Sequence, residues 1–235
     1  MVAAAAAVLV MLAAGWSLRS RNCAKAAQSA TPTPSDFAAR VDNPWFPLRP
    51  GTTYVYRGVK DGHSSREVLS VTHTTTRIAG VPCVVVRDRL YLRGRLRERT
   101  TDWYSQDRQG NVWYFGEVTA ELDRRGRVRS AEGTWRAGRN GAQAGIYIPA
   151  HPRPGQAGRQ EFSKGQAEDH FQIVSLRAAI QVPYVSSKKA LLTKEWTPLE
   201  PGVLDHKFYV RGIGTVLEQT VKGGDERNAL VAVQR

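Results

Sequence analysis

The feature that most constrains this chain is a rhythm. From about residue 40 onwards, short runs of β-branched and aromatic residues recur, each ended by Gly, Pro, Asn or Asp. TTYVYRG (52–58), REVLSVTHTT (66–75), VPCVVVRDRLYL (81–92), RLRERTTDWYSQ (95–106) and NVWYFGEV (111–118) form a first series. GIYIPA (145–150), GRQEFS (158–163), EDHFQIVSL (168–176), AIQVPYV (179–185), KALLTKEWTP (189–198), LDHKFYVRG (204–212), GTVLEQTVKG (214–223) and RNALVAVQ (227–234) continue it. Runs of this length and composition are strands, and so many at close spacing predict an all-β domain. The expected architecture is a single antiparallel curved sheet, closed or half-closed into a barrel or sandwich. Only PSDFAARV (34–41) suggests a short helical turn, with Ser35 able to cap and Phe37 and Val41 on one face. The Gly- and Pro-rich stretch 136–158 reads as a long loop, a common place for function in β proteins.

The opening MVAAAAAVLVMLAAGWSL carries no charge and precedes a polar, Pro-containing stretch. It reads as an export signal or an N-terminal membrane anchor over 1–30, followed by a short linker at 31–35 and one β domain at 36–235. Cys23 follows Asn22, where a lipid-modified cysteine needs a small residue, which argues against a lipoprotein. Cys83, inside the apolar run GVPCVVV, behaves as a small buried hydrophobe.

The 34 Lys and Arg outnumber the 21 Asp and Glu, giving a formal net charge of +13. That excess draws a protein towards anionic surfaces. Arg87, Arg89, Arg93, Arg95, Arg97 and Arg99 all occupy odd positions, so strict alternation about a turn at Gly94 gathers them on one face. Arg93, Arg95, Arg97 and Arg99 are therefore candidate anion ligands, for an anionic envelope surface in an exported protein. Nucleic acid is disfavoured, because neither a recognition helix nor an RNA-binding aromatic motif is present.

Catalytic signatures are sparse. The sequence has no Gly-x-Ser-x-Gly elbow, no His-Glu-x-x-His helix, no phosphate-binding Gly-rich loop and no pair of Cys-x-x-Cys. One polar group could do acid, base or metal chemistry if its strands lie adjacent: Glu161, Glu168, His170 and His206. It supports an alternative reading as an exported hydrolase or metal-dependent enzyme. Otherwise the residues imply no metal and no cofactor.

DWYSQDRQGNVWYFGE (102–117) concentrates aromatics around a turn that Asp107 and Asn111 serve. Alternation sets Trp103 against Tyr104, and Trp113 and Phe115 against Tyr114. Trp113 and Phe115 are expected in the core. Trp103, Tyr104, Tyr114, Trp135 and Trp196 are the candidates to face a ligand.

VDNPWFPLRPGTTYVYRG, DWYSQDRQGNVWYFGE, GTWRAGRNGAQAGIYIPA and EWTPLEPGVLDHKFYVRGIGTVLE together resemble a family of uncharacterised exported bacterial proteins over nearly the whole region after the signal. PLRPGTTYVYRG and KFYVRGIGTVLE also look, more distantly, like the first and last strands of lipoprotein-like carrier folds. Those folds curve an antiparallel sheet around a greasy cavity. The resemblance implies non-catalytic binding of a hydrophobic or amphiphilic small molecule. Membrane attachment would run through the N-terminal segment only where it stays uncleaved.

Overall fold

The computed structural model describes residues 32–235, which form one compact unit. The export segment, Cys23 and part of the expected linker lie outside the described residues. The described chain runs from a single 3-10 turn, Pro34–Asp36, into β1 (Phe37–Ala38), β2 (Thr53–Lys60), β3 (His63–Ile78), β4 (Val81–Leu92), β5 (Arg95–Asp107) and β6 (Val112–Leu122). Short strands β7 (Val128–Ser130), β8 (Trp135–Arg136), β9 (Gln143–Ile148), β10 (Ala157–Arg159) and β11 (Glu161–Phe162) follow. The long hairpin β12 (His170–Gln181) and β13 (Ser186–Trp196), then β14 (Leu204–Val210), β15 (Gly214–Lys222) and β16 (Arg227–Gln234), complete it.

The strands form one antiparallel sheet in the order β10-β12-β13-β14-β15-β16-β2-β3-β4-β5-β6-β9-β11. Its two edges, β10 and β11, are consecutive in the chain with only Gln160 between them. One broken strand thus pairs with β12 through its first half and with β9 through its second. That arrangement brings the sheet round into a nearly closed barrel, and Gly145 of β9 lets the edges meet. A Cβ there would stand 2.3 Å from the Arg159 carbonyl oxygen.

The helical turn expected over 34–41 is shorter than that. Its helical part ends at Asp36, and Phe37–Ala38 is already extended and paired with β5. Thr33, not Ser35, makes the capping box: its backbone N–H and hydroxyl both donate to Asp36 Oδ2, at 2.9 and 2.8 Å. The expected loop 136–158 carries β9, because Ile146 and Ile148 find partners along β6.

Burial is two-sided where the chain's N-terminal part crosses the barrel. Phe115, on the outer side of β6, meets Phe37 edge-to-face at 5.3 Å, and Trp113 meets it at 5.7 Å. Phe115 is buried, and Trp113 is half-buried with its indole N–H donated to Asp107. Cys83 is fully buried on the same side, and burial pushes its thiol up to about 12. The DNPWFPL phrase then folds over one end of the barrel. Buried Asn43 donates to the carbonyls of Gly110 and Pro149, while its side-chain oxygen accepts the Trp45 amide. This pins Phe46 and Leu48 over the interior.

Candidate functional site in the barrel interior

Sheet register decides what lines the barrel. Tyr56 faces Glu67 across β2 and β3, Leu69 faces Asp88 across β3 and β4, and Val86 faces Asp102 across β4 and β5. Asp102 in turn faces Glu117, and on the far side Lys207 faces Glu218, which faces Asn228. All of these point the same way, so most long strands contribute a polar side chain to a belt around the interior. Beside the belt lies an aromatic layer. Tyr104 stacks on Tyr114 with ring centroids 4.8 Å apart, and Tyr147 meets Tyr104 edge-on at 5.3 Å.

Between belt and layer is a cavity of about 180 Å³. Phe46, Leu48, Tyr54, Tyr104 and Tyr147 form its aromatic and aliphatic side; Glu67, Asp88, Asp102, Glu218 and Lys207 form its ionisable side. The wall is therefore amphiphilic, with four carboxyl groups to one ammonium.

The hydrogen bonds show how far each carboxyl is satisfied. Asp102 is 8% exposed and accepts the Tyr114 hydroxyl at 2.8 Å. Burial is the main reason its carboxyl is raised to about 7. Glu195, 5% exposed, accepts Thr193 and Tyr209 hydroxyls on Oε1 and the Lys207 ammonium on Oε2. Lys207 also reaches Glu218 at 3.2 Å and lies 6.0 Å from the centre of the Tyr147 ring. An ammonium held by two carboxylates beside an aromatic face is thus already built into the chamber. Burial lifts Glu218 to about 7, against the pull of Lys207.

Glu67 and Asp88 are a carboxyl pair. Burial raises both, and Glu67 raises Asp88 further through its charge and a hydrogen bond. Two carboxyls in such contact disfavour both being charged at once. Glu67 also accepts the Asn228 amide at 2.9 Å, whereas Asp88 Oδ1 is buried without a hydrogen-bond partner. Deeper along the wall, Glu161 is 6% exposed with Oε2 unpartnered, and Glu117 lies near it. Burial is again the leading cause that raises Glu161 to about 8 and Glu117 to about 9.

The polar group expected from sequence is not brought together. Glu161 faces the interior, but His170 pairs with Trp196 and stacks on its ring on the outer side of the wall, opposite to Glu195. His206, the neighbour of inward Lys207, faces outward across from Lys194. Glu168 accepts from the Gly165 amide in the preceding turn. The sheet wall separates Glu161 from both imidazoles, so these side chains cannot share a metal or a proton-transfer site. Among the described residues, no three or more His, Cys, Asp or Glu side chains have metal-holding geometry.

The aromatic candidates divide between the two faces. Tyr104 and Tyr114 are buried in the interior, and buried Trp135 packs edge-on against Tyr114 at 5.5 Å. Trp103 lies under the Arg136 guanidinium on the outer side, at 4.5 Å, and Trp196 is outside with His170. Among the arginines, Arg89 directly faces Arg99, as alternation requires. The expected single face fails nearer the turn, however, because a bulge between Leu90 and Tyr91 breaks the alternation around Arg97 and pairs Arg95 with Leu92. Arg93 enters the turn with φ of 50°, and its guanidinium lies 3.0 Å from His63.

Sequence reasoning missed the acidic belt. One signal was available: between 87 and 102, acidic residues fall on even positions and arginines on odd ones.

No protein-family model matches the chain, and no curated protein sequence does. Two crystal structures are similar in fold. One is a candidate exported protein with a YmcC-like fold from Bacteroides fragilis, 13% identical, with TM-score 0.47, covering 81% of this chain and 99% of that one. The other is a candidate lipoprotein from Parabacteroides distasonis, 9% identical, with TM-score 0.42, covering 82% of this chain and 99% of that one. At those values the likeness assigns this chain neither a family nor an activity.

Proposed function

We propose that this protein is an exported, non-catalytic binding protein whose barrel takes up a small amphiphilic molecule with a cationic head. The observation that carries the reading is the cavity wall: tyrosine and phenylalanine rings on one side, Glu67, Asp88 and Asp102 on the other, with Asp88 Oδ1 unpartnered. Carboxylates recognise an ammonium by charge and hydrogen bond, and aromatic faces recognise it through their quadrupole. Lys207, held between Glu195 and Glu218 near Tyr147, illustrates the same recognition within the chain.

Size narrows the ligand. A cavity of about 180 Å³ suits a compact ligand such as a short alkylamine. Export rests on the N-terminal apolar run.

Titration calorimetry with butylammonium, against butyrate and butanol of matching chain length, tests the reading. Saturable one-to-one binding of the amine alone, tightening as pH rises from 6 to 8 and lost in Asp102→Asn, is the expected result. Equal binding of the three probes, or no binding of the amine at millimolar concentration, would overturn it.

A further inference from the structure

The inner acidic belt has an outer counterpart. On β2 to β5, Arg57, Arg66, Arg87, Arg89 and Arg99 project outward, while Glu67, Asp88, Glu98 and Asp102 of the same strands project inward. The wall thus sorts its charges by face, and the arginines receive no neutralisation from their own strands. Among the described residues, none of the five has a carboxylate within ion-pair distance.

Two cross-strand pairs sharpen the point. Arg57 lies directly opposite Arg66, and Arg89 directly opposite Arg99. Like charges facing each other across a ladder are destabilising, so the folded wall holds a repulsion that a bound polyanion would relieve. Arg89 is fixed in place by donating to the Thr100 carbonyl at 3.0 Å, and Arg66 lies over the Tyr91 ring at 5.5 Å. Val59 and Val118, 40% and 45% exposed, flank the arginines on the same outer surface.

We infer that this wall docks on an anionic phospholipid surface. Guanidinium groups suit phosphate bidentately, and exposed valines at the margin of a basic field suit the boundary below the headgroups. Tyr91 is already covered by Arg66, so its ring is not free as a stacking platform for a nucleic acid strand.

The test is co-sedimentation of the full chain with mixed phosphatidylglycerol and phosphatidylcholine vesicles, against pure phosphatidylcholine. Insertion of the N-terminal apolar segment contributes to both vesicle types, so the difference between them reports the wall. Replacing Arg57, Arg66, Arg87 and Arg99 by Gln should remove the preference for phosphatidylglycerol, by about five-fold per arginine, with thermal stability unchanged or raised. The control replaces the exposed Arg49, Arg139, Arg153 and Arg177 by Gln, removing the same charge elsewhere, and should retain most of the preference. Salt should weaken wild-type binding steeply. An equal loss in both variants, a preference insensitive to salt, or wall-dependent binding of heparin or an oligonucleotide without vesicle binding would overturn the assignment.

Discussion

Lys207 Nζ lies 3.0 Å from Glu195 Oε2 inside the barrel, with the two side chains only 17% and 7% exposed. A buried ion pair of this kind returns little net stability, but breaking it leaves a desolvated charge behind. Lys207→Met is therefore expected to destabilise the fold by about 3–5 kcal/mol. Adding Glu195→Gln should restore part of the loss, because the stranded carboxylate is gone. Urea unfolding of the single and double variants measures both effects, and additive losses would show that the pair is not coupled.

Stability should fall as pH rises. Asp102, Glu161 and Glu117 have folded-state values of about 7, 8 and 9, above their ordinary carboxylate values of 3.8 and 4.5. At acid pH these groups are protonated whether the chain is folded or unfolded, so nothing is lost. Between the unfolded and folded values, the folded state keeps a proton that the unfolded chain releases. Stability is then lost through the window from about pH 4 to 9, and each tenfold difference in proton affinity between the two states costs about 1.4 kcal/mol for one isolated group. Urea midpoints at pH 5 and pH 9 should differ with the m-value unchanged, and Asp102→Asn should flatten the difference. Coincident midpoints would show that the interior carboxyls titrate normally.

How much of this was legible in the sequence depends on which face of a strand is considered. The strand rhythm and the turn at 107–110 could be read directly, because Gly110 takes the positive φ, 90°, that the turn needs. Alternation also separated Trp103 from Tyr104 correctly, since alternation is a property of the backbone. Which face is inside was harder. Arg87 and Asp88 are both charged, so polarity cannot say which of them the closed barrel encloses. The outer side of β4 to β6 is itself apolar where the 3-10 turn and β1 cover it, so Val85 and Phe115 carry a core signature outside the barrel. Only the closure of the sheet by residues 157–162, a contact far from β3 to β5 in sequence, turns the even-numbered acids into a chamber.

Asp107 organises the hairpin that carries Trp113. Its Oδ1 accepts the amides of Gln109 and Asn111, and its Oδ2 accepts the Asn111 side chain and the Trp113 indole, all at 2.8 to 2.9 Å. Hydrogen bonds to a charged acceptor contribute about 1.5–3 kcal/mol each, but a shared acceptor makes them strongly non-additive. Asp107→Ala should cost about 3 kcal/mol, and Asp107→Asn less, because an amide keeps one accepting oxygen. Thermal unfolding gives the cost, and a change in tryptophan fluorescence should accompany it as the Trp113 indole loses its acceptor. A loss below about 0.5 kcal/mol would show that the turn holds itself without the carboxylate.

The closing strand gives the sharpest test of the architecture. A Cβ on Gly145 would meet Arg159 O at 2.3 Å and the Gln160 carbonyl carbon at 2.6 Å, both backbone atoms that cannot rotate away. Gly145→Ala should therefore push β11 off β9 and loosen the 157–162 seam, at a cost of about 1–3 kcal/mol typical of overpacking. The effect should be local, because β2 to β5 are held by their own ladders. Hydrogen exchange should speed up at Gln160 and along 157–162, while the amides of β3 and β4 keep wild-type protection. If butylammonium binds in the closed chamber, its affinity should fall together with protection at the seam. Unchanged exchange at 157–162 would mean that the two sheet edges are not latched by this strand.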